Sequence, residues 1–329
     1  MKAIKILTMA ALATAVFASC SSEDELAQSN YPADNVVRIM TSVDGMNTRA
    51  SYGNSTDNLS SFGFCINNAG STKYTYDNIK VTKENGKWNP ATQMFWQNST
   101  TAVDILAYAP YQETTEDATG KVKVFGKTDY AFSVKEDQSN AEDYSSDLIV
   151  YKQTGFTPGL ELNTSKAVDV TFTHLLSQLN LTIELRDQFN QDEKKPVTSA
   201  TVTDVKVDGT FIRSKVNFAA DPISFLRDGQ ASAAITPETV AFKKADKTTD
   251  HATFKYSAIV IPQKVIAGQL CIKFKVDGTD YIWTGTDDAL FESGKKYDLH
   301  LLVGKDVVQG GAISAKPWGE ETITEKETD

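Results

Sequence analysis

A cysteine at position 20 has the setting with the clearest chemistry in this sequence. Lys2 and Lys5 lie at the start of an apolar stretch, which ends in Phe17-Ala18-Ser19-Cys20. A basic start, a short apolar segment and small closing residues are typical of a secretory signal, and the segment is too short for a transmembrane helix. Small residues before a cysteine indicate a lipobox, with cleavage between Ser19 and Cys20 and acylation of the thiol. An ordinary signal with an incidental cysteine is the alternative.

The segment after Cys20 is acidic. Ser21-Ser22-Glu23-Asp24-Glu25 resembles the acidic export signal of Bacteroidetes surface lipoproteins, and a solvated tether is a compatible second interpretation. We therefore expect a signal peptide at 1–19 and an acidic tether at 20–35. The rest of the chain would then lie on the cell surface, held to the outer membrane by acyl chains.

Residues for catalysis or metal binding are sparse. The three histidines, His174, His251 and His300, do not lie at metal-ligand spacing with one another or with cysteine, and nucleophile-elbow and phosphate-loop motifs are absent. The pairs Asp287-Asp288 and Glu142-Asp143 could act as glycosidase carboxylates, but adjacent carboxylates in a turn are usually solvated. We expect no enzyme activity, no metal and no cofactor, and structural roles for His174 and His300.

The net charge restricts the classes of binding partner that are expected. The formal net charge of -10 over 329 residues argues against nucleic acid as a partner, since nucleic acid selects basic surfaces.

Apart from Cys20, the sequence has only two cysteines, Cys65 and Cys271, which lie more than two hundred positions apart. Cys271 shares the lysine face of an alternating segment. Two free thiols are therefore expected rather than a disulfide.

Strand patterns dominate the sequence, and we expect an all-β fold of two tandem antiparallel β-sandwiches. Asp208-Gly209 and Asp277-Gly278 are typical hairpin dipeptides, and single helical turns are expected at His174–Leu179 and Asp287–Phe291. The predicted strands are Val36–Val43, Leu59–Ile66, Val103–Tyr108, Asp147–Tyr151, Val168–Thr173, Leu179–Leu185, Ala200–Val207, Thr253–Ile261, Leu270–Val276, Tyr281–Thr284 and Tyr297–Val303.

A turn-rich stretch from Gly155 to Lys166, containing Thr157-Pro158-Gly159, marks the expected domain boundary. It gives an N-terminal β-sandwich at 36–165 and a C-terminal β-sandwich with a terminal tail at 166–329.

Several phrases in order resemble the Bacteroidetes fimbrillin superfamily, specifically its Mfa-like branch of type V pilus subunits. They run from about 36 to 319, behind the lipobox. The phrases are Lys87-Trp88 with Met94-Phe95-Trp96, Val103 to Pro110, Ser146-Asp147-Leu148-Ile149, Val170 to Leu179, Ile261-Pro262-Gln263, Phe291 to Tyr297, and Ile313 to Trp318.

This resemblance implies transthyretin-like domains and a subunit that is exported as a monomer and polymerised with other fimbrial subunits, in adhesion and biofilm formation. In relatives an arginine-specific protease cuts after the first strand, and a neighbour's terminal strand fills the groove that opens. The matching dipeptide is Arg49-Ala50, in a polar loop just past the first predicted strand. A plain surface arginine is the alternative.

The first strand has the pattern that such a switch needs. Val37, Ile39, Thr41 and Val43 alternate onto one face, so its removal would open an apolar groove with unpaired backbone edges.

The expected donor is the C-terminal tail, with Val307, Ile313 and Trp318 as candidate anchors. Gly310-Gly311 interrupts the tail, and its inward apolar residues are few. The alternative is a tail that completes the second domain, as would suit a tip or accessory subunit.

A second function class is a surface glycan-binding lipoprotein with a host or bacterial surface ligand. Its stacking platforms would be tryptophans, of which only Trp88 lies in a polar setting that favours exposure. The four candidates are Trp88, Trp96, Trp283 and Trp318.

Overall fold

The computed structural model describes residues 30–43, 56–113, 116–117, 120–121, 123–191, 195–226, 230–247, 249–311 and 313–317. Its regular structure is almost entirely β, which confirms the expected fold class. The first ten strands are β1 (Ile39–Val43), β2 (Ser61–Asn67), β3 (Tyr76–Glu84), β4 (Lys87–Pro90), β5 (Val103–Ala109), β6 (Glu116–Asp117), β7 (Gly120–Lys121), β8 (Tyr130–Ser133), β9 (Ile149–Phe156) and β10 (Val168–His174).

The later strands are β11 (Ser177–Leu185), β12 (Val202–Asp208), β13 (Phe211–Asn217), β14 (Ser224–Phe225), β15 (Gln230–Ser232), β16 (Glu238–Lys243), β17 (Ala252–Val260), β18 (Gln263–Val265), β19 (Cys271–Val276), β20 (Thr279–Thr284), β21 (Ala289–Phe291), β22 (Lys295–Val303), β23 (Val308–Gly310) and β24 (Ser314–Pro317). The described helical segments are α1 (Pro158–Glu161) and the 3₁₀ turns Thr72–Tyr74, Tyr144–Ser146 and Asp187–Phe189. None of the described helices is long and apolar enough to cross a membrane.

The first sheet has the strand order β1-β10-β9-β5-β2-β3-β4. β1 runs parallel to β10, whereas the other neighbours in this sheet pair antiparallel. β10 joins this sheet because its inward residues Val168, Val170 and Phe172 pack in the same core as β1. The sheet therefore includes residues on both sides of the expected limit at 165.

The central strands of this sheet are buried on both faces. Phe62, Phe64 and Ile66 of β2 face a first core, while Cys65 of the same strand belongs to a second core that continues into the rest of the chain. β5 does the same, with Ile105 on one side and Leu106 on the other. Near-continuous burial follows from a sheet that is covered on both sides.

The second half is built around the order β16-β17-β11-β22-β23, with β24 also pairing with β22. β11 lies antiparallel to β17 and parallel to β22, whose His300 lies opposite Thr182. Smaller sheets cover this one, in the orders β12-β19-β20, β14-β13-β15 and β18-β21.

Of the two expected hairpin dipeptides, one is confirmed and one is wrong. Asp277-Gly278 joins the paired strands β19 and β20, with φ of 51° and 85°. Asp208-Gly209, by contrast, leads from β12 to β13, which pair with different strands. A Cβ at position 209 would lie 1.9 Å from the Gln269 carbonyl oxygen, so close backbone approach requires this glycine.

The two expected helical turns are also wrong. β10 ends at His174 and β11 begins at Ser177, while Leu175 N donates to Leu148 O and Gly294 N donates to Leu176 O. Pairing with neighbouring segments thus replaces local helical bonds. At the second position, β21 pairs with β18.

Residues from the first half also complete the second half. β8 pairs with β13, and the Gln138 side chain donates to Ile259 O at 2.9 Å and accepts from Ile259 N at 2.7 Å. Lys152 Nζ reaches three successive carbonyl oxygens at 3.1, 3.1 and 2.7 Å, those of Phe218, Ala219 and Ala220. The two halves are therefore joined by ladder bonds and by buried polar contacts.

Candidate functional site

The first strand places its apolar side chains on the expected face. Val37, Ile39 and Val43 are 3%, 8% and 5% exposed, and Thr41 between them is partly buried. The intervening residues 38, 40 and 42 are exposed, so the period-two pattern predicts this face correctly.

Backbone bonds hold the strand along its length. Val37 N donates to Met94 O at 3.0 Å, and Trp96 N donates to Asn35 O at 2.8 Å. Farther on, Val168 N donates to Arg38 O at 2.9 Å, where the parallel ladder with β10 begins. The segment is thus bonded first to residues 94–96 and then to an edge of β10.

A short ion pair fixes the entry to the strand. Arg38 donates to Asp34 Oδ2 at 2.6 Å, and these bonds, together with that from Val36 N, lower the pKa of Asp34 to about 2. Both side chains are exposed, so the pair orients the chain more than it stabilises the fold. Asn30 Nδ2 adds a bond of 2.9 Å to Leu162 O.

The core beneath β1 is large and aromatic. Val168, Val170 and Phe172 of β10 are fully buried, and the Phe172 ring meets Phe62 edge to face, with centroids 5.4 Å apart. Trp96 is also buried. Removing β1 would expose this apolar surface and leave one edge of β10 without a strand.

Other predicted site residues fall outside the described parts of the chain. These are Ser19, Cys20, Arg49, Ala50 and Trp318. The first described residue after Val43 is Thr56, so the Arg49-Ala50 dipeptide lies in the intervening stretch.

The C-terminal tail pairs with its own chain. β23 and β24 both run antiparallel to β22, one beside each end of that strand. Ile313 packs against the second core, whereas Val307 is 45% exposed. Gly310 lies against the Trp283 indole, where an added Cβ would be 2.1 Å from Nε1. In this arrangement the tail forms an edge of the second sheet of its own chain.

The histidines and paired acids have structural partners. His174 Nδ1 lies 3.0 Å from Asp147 Oδ1, with both side chains buried, and His300 Nε2 lies 2.6 Å from Glu184 Oε2. His251 Nδ1 contacts the other oxygen of the same carboxylate. Among the described residues, no group of three or more His, Cys, Asp or Glu side chains could hold a metal ion.

The candidate acidic pairs are also engaged. Asp288 Oδ2 lies 2.6 Å from Lys264 Nζ, whose hydrogen bond lowers the pKa of that carboxyl. Asp143 accepts from Ser145 N at 3.0 Å at the start of a 3₁₀ turn and pairs with Lys135. Asp288 and Asp143 are thus each held by a lysine.

Both later cysteines are free thiols, as expected. Cys65 is buried, its Sγ donates to Asp77 Oδ1 at 3.2 Å, and burial raises the pKa of this thiol well above its usual value. Asp77 also accepts from Val124 N and Phe125 N, both at 2.9 Å. This network, which ties a later loop to β3, had no signal in the sequence because its members are far apart.

Comparisons with known proteins identify the family of this chain and structures that are similar to it. A family model described as fimbrillin-like matches residues 48–318. A "putative cell adhesion protein" from Bacteroides uniformis is 20% identical with a TM-score of 0.55, covering 87% of this chain and 99% of that one. A second, from Bacteroides ovatus, is 13% identical with a TM-score of 0.58 and coverages of 87% and 98%. None of the curated proteins compared matches this chain. The solved structures share the fold, and since the family model spans most of the sequence, this chain belongs to the fimbrillin-like family.

Proposed function

We propose that this protein is a structural subunit, stalk or tip, of a cell-surface fimbrium that assembles by β-strand exchange and acts in adhesion and biofilm formation. The observation that carries the proposal is β1, which closes an aromatic core and, among the strands that the structure describes, is bonded by its ladder to β10 alone. Membership of the fimbrillin-like family supports the same role.

The energetics of β1 suit a switch. The three buried side chains of residues 37–43, Val37 just before β1 and Ile39 and Val43 within it, contribute roughly 1.5–3 kcal/mol each, or about 5–9 kcal/mol together. That sum is comparable with the net stability of a whole domain, about 5–15 kcal/mol. Intact, the strand blocks the groove. Once it is removed, an incoming strand gains the same burial and the same edge of β10.

The remaining parts of the proposal rest on the sequence. Acyl chains on Cys20 anchor the precursor in the outer membrane, and cleavage after Arg49 releases the segment that carries β1. The sequence-based division into an N-terminal unit at 36–165 and a C-terminal unit at 166–329 is part of the proposal, with β10 of the second unit completing the sheet of the first. Its partners are other fimbrial subunits, and its role is structural rather than catalytic.

A truncation tests the groove. A protein synthesised without residues 1–49 lacks β1, so its groove is open from the start. It should therefore associate or aggregate under conditions in which the chain that keeps β1 stays monomeric. A peptide with the β1 sequence should raise its melting temperature by binding the folded state. The matched control is the same peptide with Asp in place of Ile39, since a buried unpaired charge costs more than the strand gains.

A monomeric truncated protein that is as stable as the full chain and indifferent to both peptides would exclude strand exchange at this end. The fimbrial role itself is tested separately. Surface filaments should be visible by negative-stain electron microscopy in cells that express the chain and reduced in cells that lack it.

A further inference from the structure

A cleft of about 600 Å³ lies between the two edge strands of the first sheet, β1 and β4. Residues 36–41 form one wall and residues 86–90 the other, so the two ends of the sheet face each other across it. Thr56, Lys83, Gln93, Ser165 and Ala167 complete the lining. This volume is within the range of about 300–1,000 Å³ that is usual for small-molecule sites.

The charged side chains that line this cleft are all basic, whereas the whole chain is acidic. The lining contains Arg38, Lys83 and Lys87 and no carboxylate, although the whole chain has a net charge of -10. Arg38 is paired with Asp34, and Lys83 Nζ is 3.7 Å from an exposed Asp57 oxygen. Lys87 makes no ion pair with any described residue. Lys87 therefore supplies positive charge that no ion pair among the described residues offsets, and such a charge attracts an anionic ligand.

A tryptophan forms a rigid wall of the cleft. Trp88 is partly exposed and meets Phe62 edge to face, with centroids 5.0 Å apart. Lys83 Nζ lies 5.7 Å from the centroid of the indole ring. Phe62 and Lys83 therefore both contact the ring, and Trp88 is one of the residues that line the cleft. A fixed aromatic surface suits the C–H face of a sugar ring.

Polar groups complete this lining. The Oγ1 atom of Thr41 is buried without a hydrogen-bond partner among the described residues, and Thr41 lines the cleft. Asn89 and Gln93 add amide donors and acceptors. An aromatic wall, a lysine without an ion pair among the described residues and two amides form a set that matches a carboxylated sugar better than a purely apolar ligand.

We propose that this cleft binds an acidic saccharide, with a sugar ring against Trp88 and its carboxylate near Lys87. An extended acidic peptide fits less well, because β4 has only four residues and its last, Pro90, has no backbone N–H to donate. The site needs β1 in place, so it belongs to the intact chain and does not depend on strand exchange.

Isothermal titration calorimetry of the chain that keeps β1 tests the proposal. The probe is a hyaluronan tetrasaccharide, in which glucuronate alternates with N-acetylglucosamine. The neutral control is the chitin tetrasaccharide, and a tetraglutamate peptide controls for charge alone. Hyaluronan should bind at least tenfold more tightly than either control.

Variants localise the binding. Trp88→Ala and Lys87→Gln should each weaken hyaluronan binding at least fivefold. The matched controls, Trp283→Ala and Lys80→Gln, change a partly buried tryptophan and an exposed lysine elsewhere and should leave binding unchanged. Thermal melts verify folding, and if Trp88→Ala does not fold, Lys87→Gln decides.

Three results would overturn the proposal. They are no hyaluronan binding, equal binding of the neutral tetrasaccharide, and binding that neither cleft variant weakens. Equally tight binding of tetraglutamate would show that the cleft takes acidic peptides instead. Each result is independent of filament formation, so failure here is distinguishable from failure of the fimbrial role.

Discussion

Replacing Ile39 with threonine should loosen β1 without disturbing its outer surface. Ile39 is 8% exposed, whereas its neighbour Met40 is 48% exposed on the opposite face. Met40→Thr is therefore a matched control with the same new side chain on the same strand. Threonine favours strands, so β propensity contributes little to the difference.

The expected magnitude follows from burial. Ile39→Thr loses part of the roughly 1.5–3 kcal/mol from the buried isoleucine and buries a hydroxyl, which costs about 1–3 kcal/mol if it remains unpaired. We expect a loss of about 2–4 kcal/mol, against about 0.5 kcal/mol or less for Met40→Thr. A local loss of that size raises the population of the released strand about 30- to 700-fold.

Hydrogen exchange measures this release directly. The Val168 amide donates to Arg38 O, so its exchange should accelerate by the factor above in Ile39→Thr and change little in Met40→Thr. Urea unfolding of both variants supplies the global stability for comparison. Equal exchange of Val168 in the two variants would refute the reasoning that β1 is held by its inward face.

Three further predictions concern the ends and the core. Cys20→Ser should abolish acyl-label incorporation and surface display, and labelling of the variant would contradict lipidation at this residue. An arginine-specific protease should cut first after Arg49 and leave a stable fragment that begins at Ala50, and a first cut at Arg186 or Arg213 would contradict the switch. Burial raises the pKa of Tyr256 to about 12, above the usual 10 of the unfolded chain. The unfolded state therefore ionises first, stability falls as pH rises above 10, and Tyr256→Phe should move the alkaline unfolding midpoint upwards by circular dichroism.

The strands themselves could be predicted from the sequence because alternation is a local signal. The face of β1 and the lysine face that carries Cys271 are both as expected. The burial of Trp96 likewise follows from its apolar neighbours. What could not be predicted is which strands pair, because pairing depends on partners far away in the chain.

Two cases show this limit. The parallel pair of β11 and β22 joins residues more than one hundred positions apart, and no pattern in either strand specifies it. Asp208-Gly209 has the composition of a hairpin, yet the strands on either side belong to different sheets. Likewise, the cleft beside Trp88 depends on how the sheet curls, so the sequence indicated an exposed tryptophan but not the basic residues around it.

The contacts between the two halves have a mechanical consequence. The Lys152 ammonium donates to three carbonyl oxygens in the other half. Gln138 forms hydrogen bonds with both the N–H and the C=O of Ile259, and β8 pairs antiparallel with β13. A pull that separated the halves would have to break all of these bonds. The subunit should therefore behave as a stiff link, and a filament of such links would bend at its joints.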